Sequence, residues 1–161
     1  MPQFALPAVG GGDVQIGGDG RWQLVVVYRG KHCPICKRYL GGLNEMKDDF
    51  ARLSTDIVAI SADPQEKAEP DVAEMGIDLP VGYGLSVEQM RSLGLYISQP
   101  YAETETDRAF AEPGLFVVNP QGKVQIVDIS NAPFSRPDLA GIARGIGVIQ
   151  ERNYPIRGTL A

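Results

Sequence analysis

The chain has 161 residues, 43% of them hydrophobic, and carries a net charge of -5 at pH 7 with a pI near 4.9. This length is enough for one packed core and argues against two domains. The acidic balance argues against nucleic acid or an anionic membrane as a partner.

No segment predicts a membrane span or a targeting signal. The longest apolar run, Leu24 to Tyr28, is far below the roughly 20 residues that a membrane-spanning helix needs. The N-terminus lacks a basic start followed by an apolar stretch. We therefore expect a cytoplasmic protein with a single domain over residues 1–161, including an irregular lead-in at 1–21 and an irregular tail at 151–161.

The first predicted strand follows the glycine-rich lead-in, which itself offers at most a short hairpin around Val14 to Ile16. Trp22 to Tyr28, with the sequence WQLVVVY, is a nearly continuous apolar run. Such a run is typical of a strand that is buried on both faces. We expect it to be the central strand of a sheet.

A helix is predicted directly after RGKHC, because the apolar residues recur at helical spacing and Pro34 suits a first turn. These apolar residues are Ile35, Tyr39, Leu40, Leu43, Met46, Phe50 and Leu53. The CPIC segment therefore begins a helix. Gly41 and Gly42 weaken it, and we expect a kink there.

A second buried strand is predicted at Thr55 to Ala62. Asp63 and Pro64 then form a cap and first-turn pair for a helix that runs towards Met75. Pro70 should disturb this helix, because proline removes a backbone donor.

The remaining elements are a short helix, a hairpin and a last helix. Ser86 and Gln89 have capping-box spacing for the short helix, which Gly94 ends. The hairpin strands are Leu115 to Val118 and Val124 to Ile129. The last helix, amphipathic, begins near Ser135. This element order predicts an α/β fold with a mixed sheet and helices on its faces.

The two cysteines, Cys33 and Cys36, are the predicted site of chemistry. A thiolate is favoured at a helix N-terminus and beside cations. The cations within reach in the sequence are Arg29, Lys31, His32, Lys37 and Arg38. The spacing places both sulfurs on one helical turn, where they can form a disulfide. Helix geometry favours Cys33 as the exposed nucleophile and Cys36 as the deeper resolving thiol.

Two alternative interpretations of the cysteine pair are an inert buried pair and half of a metal site. A zinc site needs more cysteine or histidine ligands than this chain offers, since His32 is the only histidine. The flanking cations and the strand, CxxC, helix order favour redox chemistry over an inert pair. We expect neither a metal nor a cofactor.

Several segments carry a family resemblance: VVVYRG leading into HCPIC, then IVAISAD, LPVGYGLSVEQMRSLGLY and GLFVVNPQGKVQ. From about Ala5 to Gln150 the chain resembles the thioredoxin superfamily, and more closely the peroxiredoxin-like proteins grouped with alkyl hydroperoxide reductase C and thiol-specific antioxidant. The resemblance implies a thioredoxin-like fold, with a central mixed sheet flanked by helices on both faces.

The resemblance places Cys36 at the peroxidatic cysteine of peroxiredoxins and Cys33 at the threonine that precedes it. The same alignment matches Cys33 to the nucleophile of thioredoxins. The chain departs from the peroxiredoxin pattern twice, since Cys33 replaces that threonine and Pro113 replaces an arginine that polarises the peroxide. Arg29 is a candidate to replace the missing arginine.

In the resemblance, Pro113 matches the cis-proline that thioredoxin-like proteins place beside their CxxC pair. The alternative is an ordinary trans proline at the first residue of a strand. If Pro113 packs on the site, Glu112 approaches the thiols; otherwise it is a solvated surface residue. In the resemblance, His32 occupies the position where thioredoxins carry tryptophan. It could stabilise the thiolate as an imidazolium, act as a proton shuttle, or act only through its charge.

Three functions follow. The first is a thiol peroxidase that forms a sulfenic acid and then a disulfide. The second is a thioredoxin-type protein disulfide reductase. The third is a non-enzymatic redox sensor or interaction module. The expected partners are a peroxide or protein-disulfide substrate and a reducing thiol, either a thioredoxin-like protein or glutathione. A homodimer is compatible with the sequence.

Overall fold

A computed structural model describes residues 1–160, so Ala161 at the end of the expected tail lies outside the described residues. The strands are β1 (Phe4–Pro7), β2 (Asp13–Ile16), β3 (Trp22–Val27), β4 (Thr55–Ile60), β5 (Val81–Gly82), β6 (Ile97–Ser98), β7 (Phe110–Ala111), β8 (Gly114–Val118) and β9 (Val124–Ile129). The helices are α1 (Pro34–Glu45), α2 (Lys47–Arg52), α3 (Gln65–Met75), α4 (Val87–Ser92) and α5 (Leu139–Arg152).

The main sheet has five strands in the order β5, β4, β3, β8, β9. Strand β3 lies at its centre, parallel to β4 and antiparallel to β8, and β8 and β9 form the antiparallel hairpin. The predicted central strand and mixed sheet are confirmed. This arrangement brings the loop after β3 and the N-terminus of α1, where the two cysteines lie, to one end of the sheet.

Each face of the sheet is covered by its own apolar cluster. Because side chains alternate along a strand, Leu24 and Val26 of β3 pack into one cluster, while Val25 and Val27 pack into the other. Helices α1, α2, α3 and α5 contribute buried residues to the first cluster. Helix α4 and the β1–β2 hairpin contribute to the second. The predicted helices on both faces are confirmed.

The lead-in at residues 1–21 is more ordered than the sequence indicated. Strands β1 and β2 pair in antiparallel register from Phe4 opposite Ile16 to Pro7 opposite Asp13. Leu6 and Ile16 are buried against the sheet. Their burial stabilises a hairpin whose sequence has too few apolar residues to show a clear alternation.

Two helix predictions were wrong in their boundaries. The break after the cysteine helix falls at Met46, between α1 and α2, whereas Gly41 and Gly42 lie within α1 and leave it intact. Helix α5 begins at Leu139 rather than near Ser135, because Asp138 caps it by accepting a hydrogen bond from the Gly141 amide at 2.7 Å.

The start of α3 also differs from the prediction. Pro64 occupies the cap position and makes no side-chain cap bond, while the Asp63 carboxylate turns to the Lys31 amide. Pro70 lies inside α3 without interrupting it, and Val72 packs this helix into the core cluster on the α1 side of the sheet. The Ser86–Gln89 capping box of α4 is confirmed.

Within residues 1–160 no helix is both long and apolar enough to cross a membrane.

Candidate dithiol active site

The cysteine pair occupies the N-terminus of α1. Cys33 is the N-cap residue, and its sulfur accepts a hydrogen bond from the Cys36 amide at 3.3 Å. Pro34 fills the first helical turn, where a missing N–H costs nothing. The two Cα atoms are 5.3 Å apart and the sulfurs are joined as a disulfide. The spacing therefore gives a dithiol that can open and close on one turn of a helix.

Both cysteines belong to the core cluster on the α1 side of the sheet. Cys33 is 2% exposed and Cys36 is fully buried. The expected contrast between an exposed Cys33 and a deep Cys36 is thus only marginal, and exposure does not separate the two roles.

The turn before Cys33 depends on a glycine. Gly30 has φ +121°, and a Cβ there would lie 2.6 Å from a carboxylate oxygen of Asp63. That carboxylate accepts a hydrogen bond from the Lys31 amide at 2.6 Å, and the Gly30 carbonyl accepts one from the Cys33 amide at 3.1 Å. Burial raises the pKa of Asp63 above its ordinary value. Asp63, in the segment that follows β4, therefore holds the turn that presents the dithiol.

Arg29, the expected donor to peroxide or thiolate, is engaged by two carboxylates. Its guanidinium lies 2.8 Å from Glu105 and 3.4 Å from Glu112, and its Cζ is 4.8 Å from the centre of the Phe110 ring. Glu112 is buried, and it accepts a hydrogen bond from the Ser98 hydroxyl at 2.6 Å. Glu112 is therefore not a solvated surface residue. Two negative charges balance Arg29 and leave it a weak donor to another anion.

The remaining predicted cations also have other partners or face solvent. Lys37 binds the fully buried carboxylate of Asp71 at 2.6 Å. The ring of His32 packs edge-on against Phe110 at 4.7 Å between centroids. Burial and then the Arg29 cation lower the pKa of His32 below 6.5, which argues against an imidazolium at neutral pH. Lys31 and Arg38 are exposed.

Pro113 is buried at the entry to β8, but the peptide bond before it is trans. The expectation of a cis peptide bond before Pro113 is therefore wrong. The trans form of an X–Pro bond is favoured by about 0.5–1 kcal/mol, and matching the position of a cis-proline in a family does not by itself reverse that preference.

One residue that the sequence pattern does not predict contacts the dithiol. Arg136 lies in the segment between β9 and α5, and its Nη2 donates a hydrogen bond to the Cys36 sulfur at 3.1 Å. Its Nε donates to the Pro133 carbonyl at 3.1 Å. The only hint in the sequence is an arginine in a proline-rich segment, PFSRPD, that precedes a helix. That pattern is typical of a surface loop and does not predict burial.

The mixed sheet, with a dithiol at the start of the helix that follows its central strand, defines a thiol-redox protein of thioredoxin-like fold. A sequence model of the AhpC/TSA family matches residues 1–127. The chain belongs to the AhpC/TSA family. This membership supports an enzyme that reduces peroxides with a thiol.

Individual relatives agree with the family match. Alkyl hydroperoxide reductase C of Escherichia coli (strain K12) is 21% identical over 132 residues, which cover 82% of this chain and 68% of that protein. The 2-Cys peroxiredoxin of Plasmodium vivax superposes with a TM-score of 0.77 at 16% identity, covering 95% of this chain and 81% of that chain. Peroxidoxin BcpB of Mycobacterium tuberculosis gives a TM-score of 0.72 at 17% identity, with 94% of each chain covered. The two structures share the fold.

Proposed function

We propose that this protein is a thiol peroxidase in which Cys36 attacks the peroxide and Cys33 resolves the product. The observation that carries this assignment is the hydrogen bond from Arg136 to the Cys36 sulfur at 3.1 Å. A guanidinium at this distance favours the thiolate over the thiol and can donate to an oxygen of the incoming peroxide. Arg29 is unsuited to this task because two carboxylates hold it.

In the first step the Cys36 thiolate attacks one oxygen of the peroxide. An S–O bond forms and the O–O bond breaks, so that Cys36 becomes a sulfenic acid and the peroxide leaves as an alcohol or water after taking up a proton. Arg136 opposes the negative charge that builds up on the leaving oxygen.

In the second step the Cys33 thiolate attacks the sulfenic sulfur. The S–S bond forms, the S–O bond breaks and the hydroxide leaves as water. The Cys36 amide, which donates to the Cys33 sulfur, favours the Cys33 thiolate that this step needs. An external dithiol then supplies two electrons to restore both thiols.

The reductant, location and assembly are parts of the same proposal. A thioredoxin-like protein or glutathione supplies the electrons, the reaction takes place in the cytoplasm, and residues 1–161 form one domain that acts without a metal or cofactor. The sequence is also compatible with a homodimer.

Peroxide and disulfide turnover, measured side by side on the purified protein, test the proposal. With dithiothreitol as reductant, we expect consumption of hydrogen peroxide that Cys36→Ser abolishes, and slow reduction of insulin disulfides. Rapid insulin reduction with no peroxide consumption would instead identify a protein disulfide reductase. Loss of both activities in the wild-type protein would favour the redox sensor.

A further inference from the structure

Tyr39 contacts Arg136 through its ring. Tyr39 follows Cys36 by three residues in α1, so both side chains lie on the same face of the helix. The Arg136 Cζ lies 4.7 Å from the centre of the Tyr39 ring. A guanidinium over an aromatic face is attracted by the negative charge of the ring face, and more strongly where water is excluded.

The Tyr39 hydroxyl makes a second contact with the same segment. It donates a hydrogen bond to the Pro137 carbonyl at 2.9 Å. Burial raises the pKa of Tyr39 to about 12, so the hydroxyl keeps its proton over the whole neutral range. One side chain therefore holds both the guanidinium and the backbone next to it.

Arg136 has few direct partners, so its contact with the Tyr39 ring matters for its position. No carboxylate among residues 1–160 forms an ion pair with Arg136, in contrast to Arg29 and Lys37. Burial lowers the pKa of Arg136 to about 10. More distant charges, Glu112, Arg29 and Asp128, act on it without contact. The direct partners of the guanidinium are thus the Cys36 sulfur, the Pro133 carbonyl and the Tyr39 ring.

We infer that Tyr39 is a positioning residue that holds the Arg136 guanidinium on the Cys36 sulfur. The ring acts as the platform and the hydroxyl anchors the segment around Pro137. The inference rests on the proposed function for its biological meaning, since an acidic Cys36 matters only if Cys36 is the reacting thiol. The contacts themselves are independent of the substrate.

The test is the thiol pKa of Cys36, measured in the Cys33→Ser background from the pH dependence of thiolate absorbance and of iodoacetamide alkylation. Tyr39→Leu removes both contacts and should raise this pKa by about one unit, since a fixed cation typically shifts a neighbouring pKa by at least that much. Tyr39→Phe removes only the hydroxyl and should raise it less. Should Tyr39→Leu fail to fold, Tyr39→Phe decides by itself: an unchanged pKa would overturn the anchoring role of the hydroxyl.

A double-mutant cycle separates positioning from general structural damage. In the Arg136→Met background, Tyr39→Leu should leave the Cys36 pKa unchanged, because the group that it positions is gone. An equal shift in both backgrounds, or no shift in either, would contradict the inference. Tyr154→Leu is the matched control. The Arg157 Cζ lies 6.0 Å from the centre of the Tyr154 ring in the exposed tail, so this substitution should leave the Cys36 pKa unchanged.

A failure of the proposed function would appear in peroxide turnover and not in the pKa comparison. If the wild-type protein consumes no peroxide, the proposed function is wrong. The pKa comparison still decides whether Tyr39 positions Arg136, because alkylation needs no peroxide.

Discussion

Arg136 and Cys36 are 100 residues apart in the chain, yet the guanidinium donates to the sulfur at 3.1 Å. The contact joins the segment before α5 to the first turn of α1. Burial lowers the pKa of Arg136 to about 10, which still leaves the side chain charged at neutral pH. We expect this cation to keep facing Cys36 when the disulfide is reduced and Cys36 becomes the thiol that we propose attacks the peroxide.

Arg136→Met should weaken the reaction with peroxide. Without the cation, the Cys36 thiol pKa should rise by about one unit or more, and the rate constant for peroxide should fall on the order of 100-fold. Competition kinetics for hydrogen peroxide will measure the rate constant. Arg152→Met, at the exposed end of α5, is the control that should react as wild type does.

The same substitution should leave stability nearly unchanged. Arg136 is half-buried, and a partly desolvated cation without a carboxylate partner carries a cost that an apolar side chain of similar size avoids. A large drop in the urea midpoint of Arg136→Met would therefore argue for a structural rather than a chemical role of this residue.

Lys37→Met should destabilise the fold. Lys37 neutralises the carboxylate of Asp71, which is fully buried, and its removal leaves that charge without a partner. We expect a loss of about 3 kcal/mol in the free energy of unfolding, measured by urea denaturation. The double variant Lys37→Met, Asp71→Leu should recover most of the loss. Lys47→Met breaks only the exposed contact with Asp78 and should show no measurable change.

Gly30→Ala and Gly41→Ala should change stability in opposite directions. Gly30 has φ +121° and a Cβ there would collide with the Asp63 carboxylate, so alanine should cost about 2 kcal/mol. Gly41 lies within α1 with open space around it, so alanine should add up to about 1 kcal/mol. Thermal melts of both variants measure the difference. Equal effects would show that the turn before Cys33 tolerates a side chain.

The stability of the protein should depend on pH through His32. Burial, and then the Arg29 cation, lower the pKa of His32 in the folded protein below 6.5. The unfolded chain therefore takes up a proton at a higher pH than the folded protein does, and the free energy of unfolding falls as the pH drops below about 6.5. Urea denaturation from about pH 7.5 to about pH 5.5 should show this loss in the wild type and a reduced loss in His32→Gln. The same slope in both proteins would rule out His32 as its source.

Much of the fold was predictable because its signals are local. The apolar run of β3, the helical spacing after Cys33 and the β8–β9 turn each lie within a few residues, and all three elements were confirmed. Strands β5, β6 and β7 have two residues each, too few for any apolar alternation to show. Pairing with distant strands, rather than their own sequence, defines them.

The site was predictable only as far as its local part. The CxxC pair at a helix start follows from one short stretch of sequence. In contrast, Glu105, which pairs with Arg29, and Arg136, which contacts Cys36, lie 76 and 100 residues away from them. The sequence shows several cationic residues near the thiols. It does not show that Arg29 pairs with Glu105 and Glu112. Nor does it show that Lys37 pairs with Asp71. Long-range packing decides which cation reaches the sulfur.

The most direct test of the central claim is to trap the sulfenic acid after one equivalent of hydrogen peroxide in the two single-cysteine variants. Mass spectrometry with a dimedone probe will locate the adduct. We predict an adduct on Cys36 in Cys33→Ser and none on Cys33 in Cys36→Ser, because Arg136 activates Cys36 alone. An adduct on Cys33 with none on Cys36 would contradict the assignment and make Cys33 the reacting thiol.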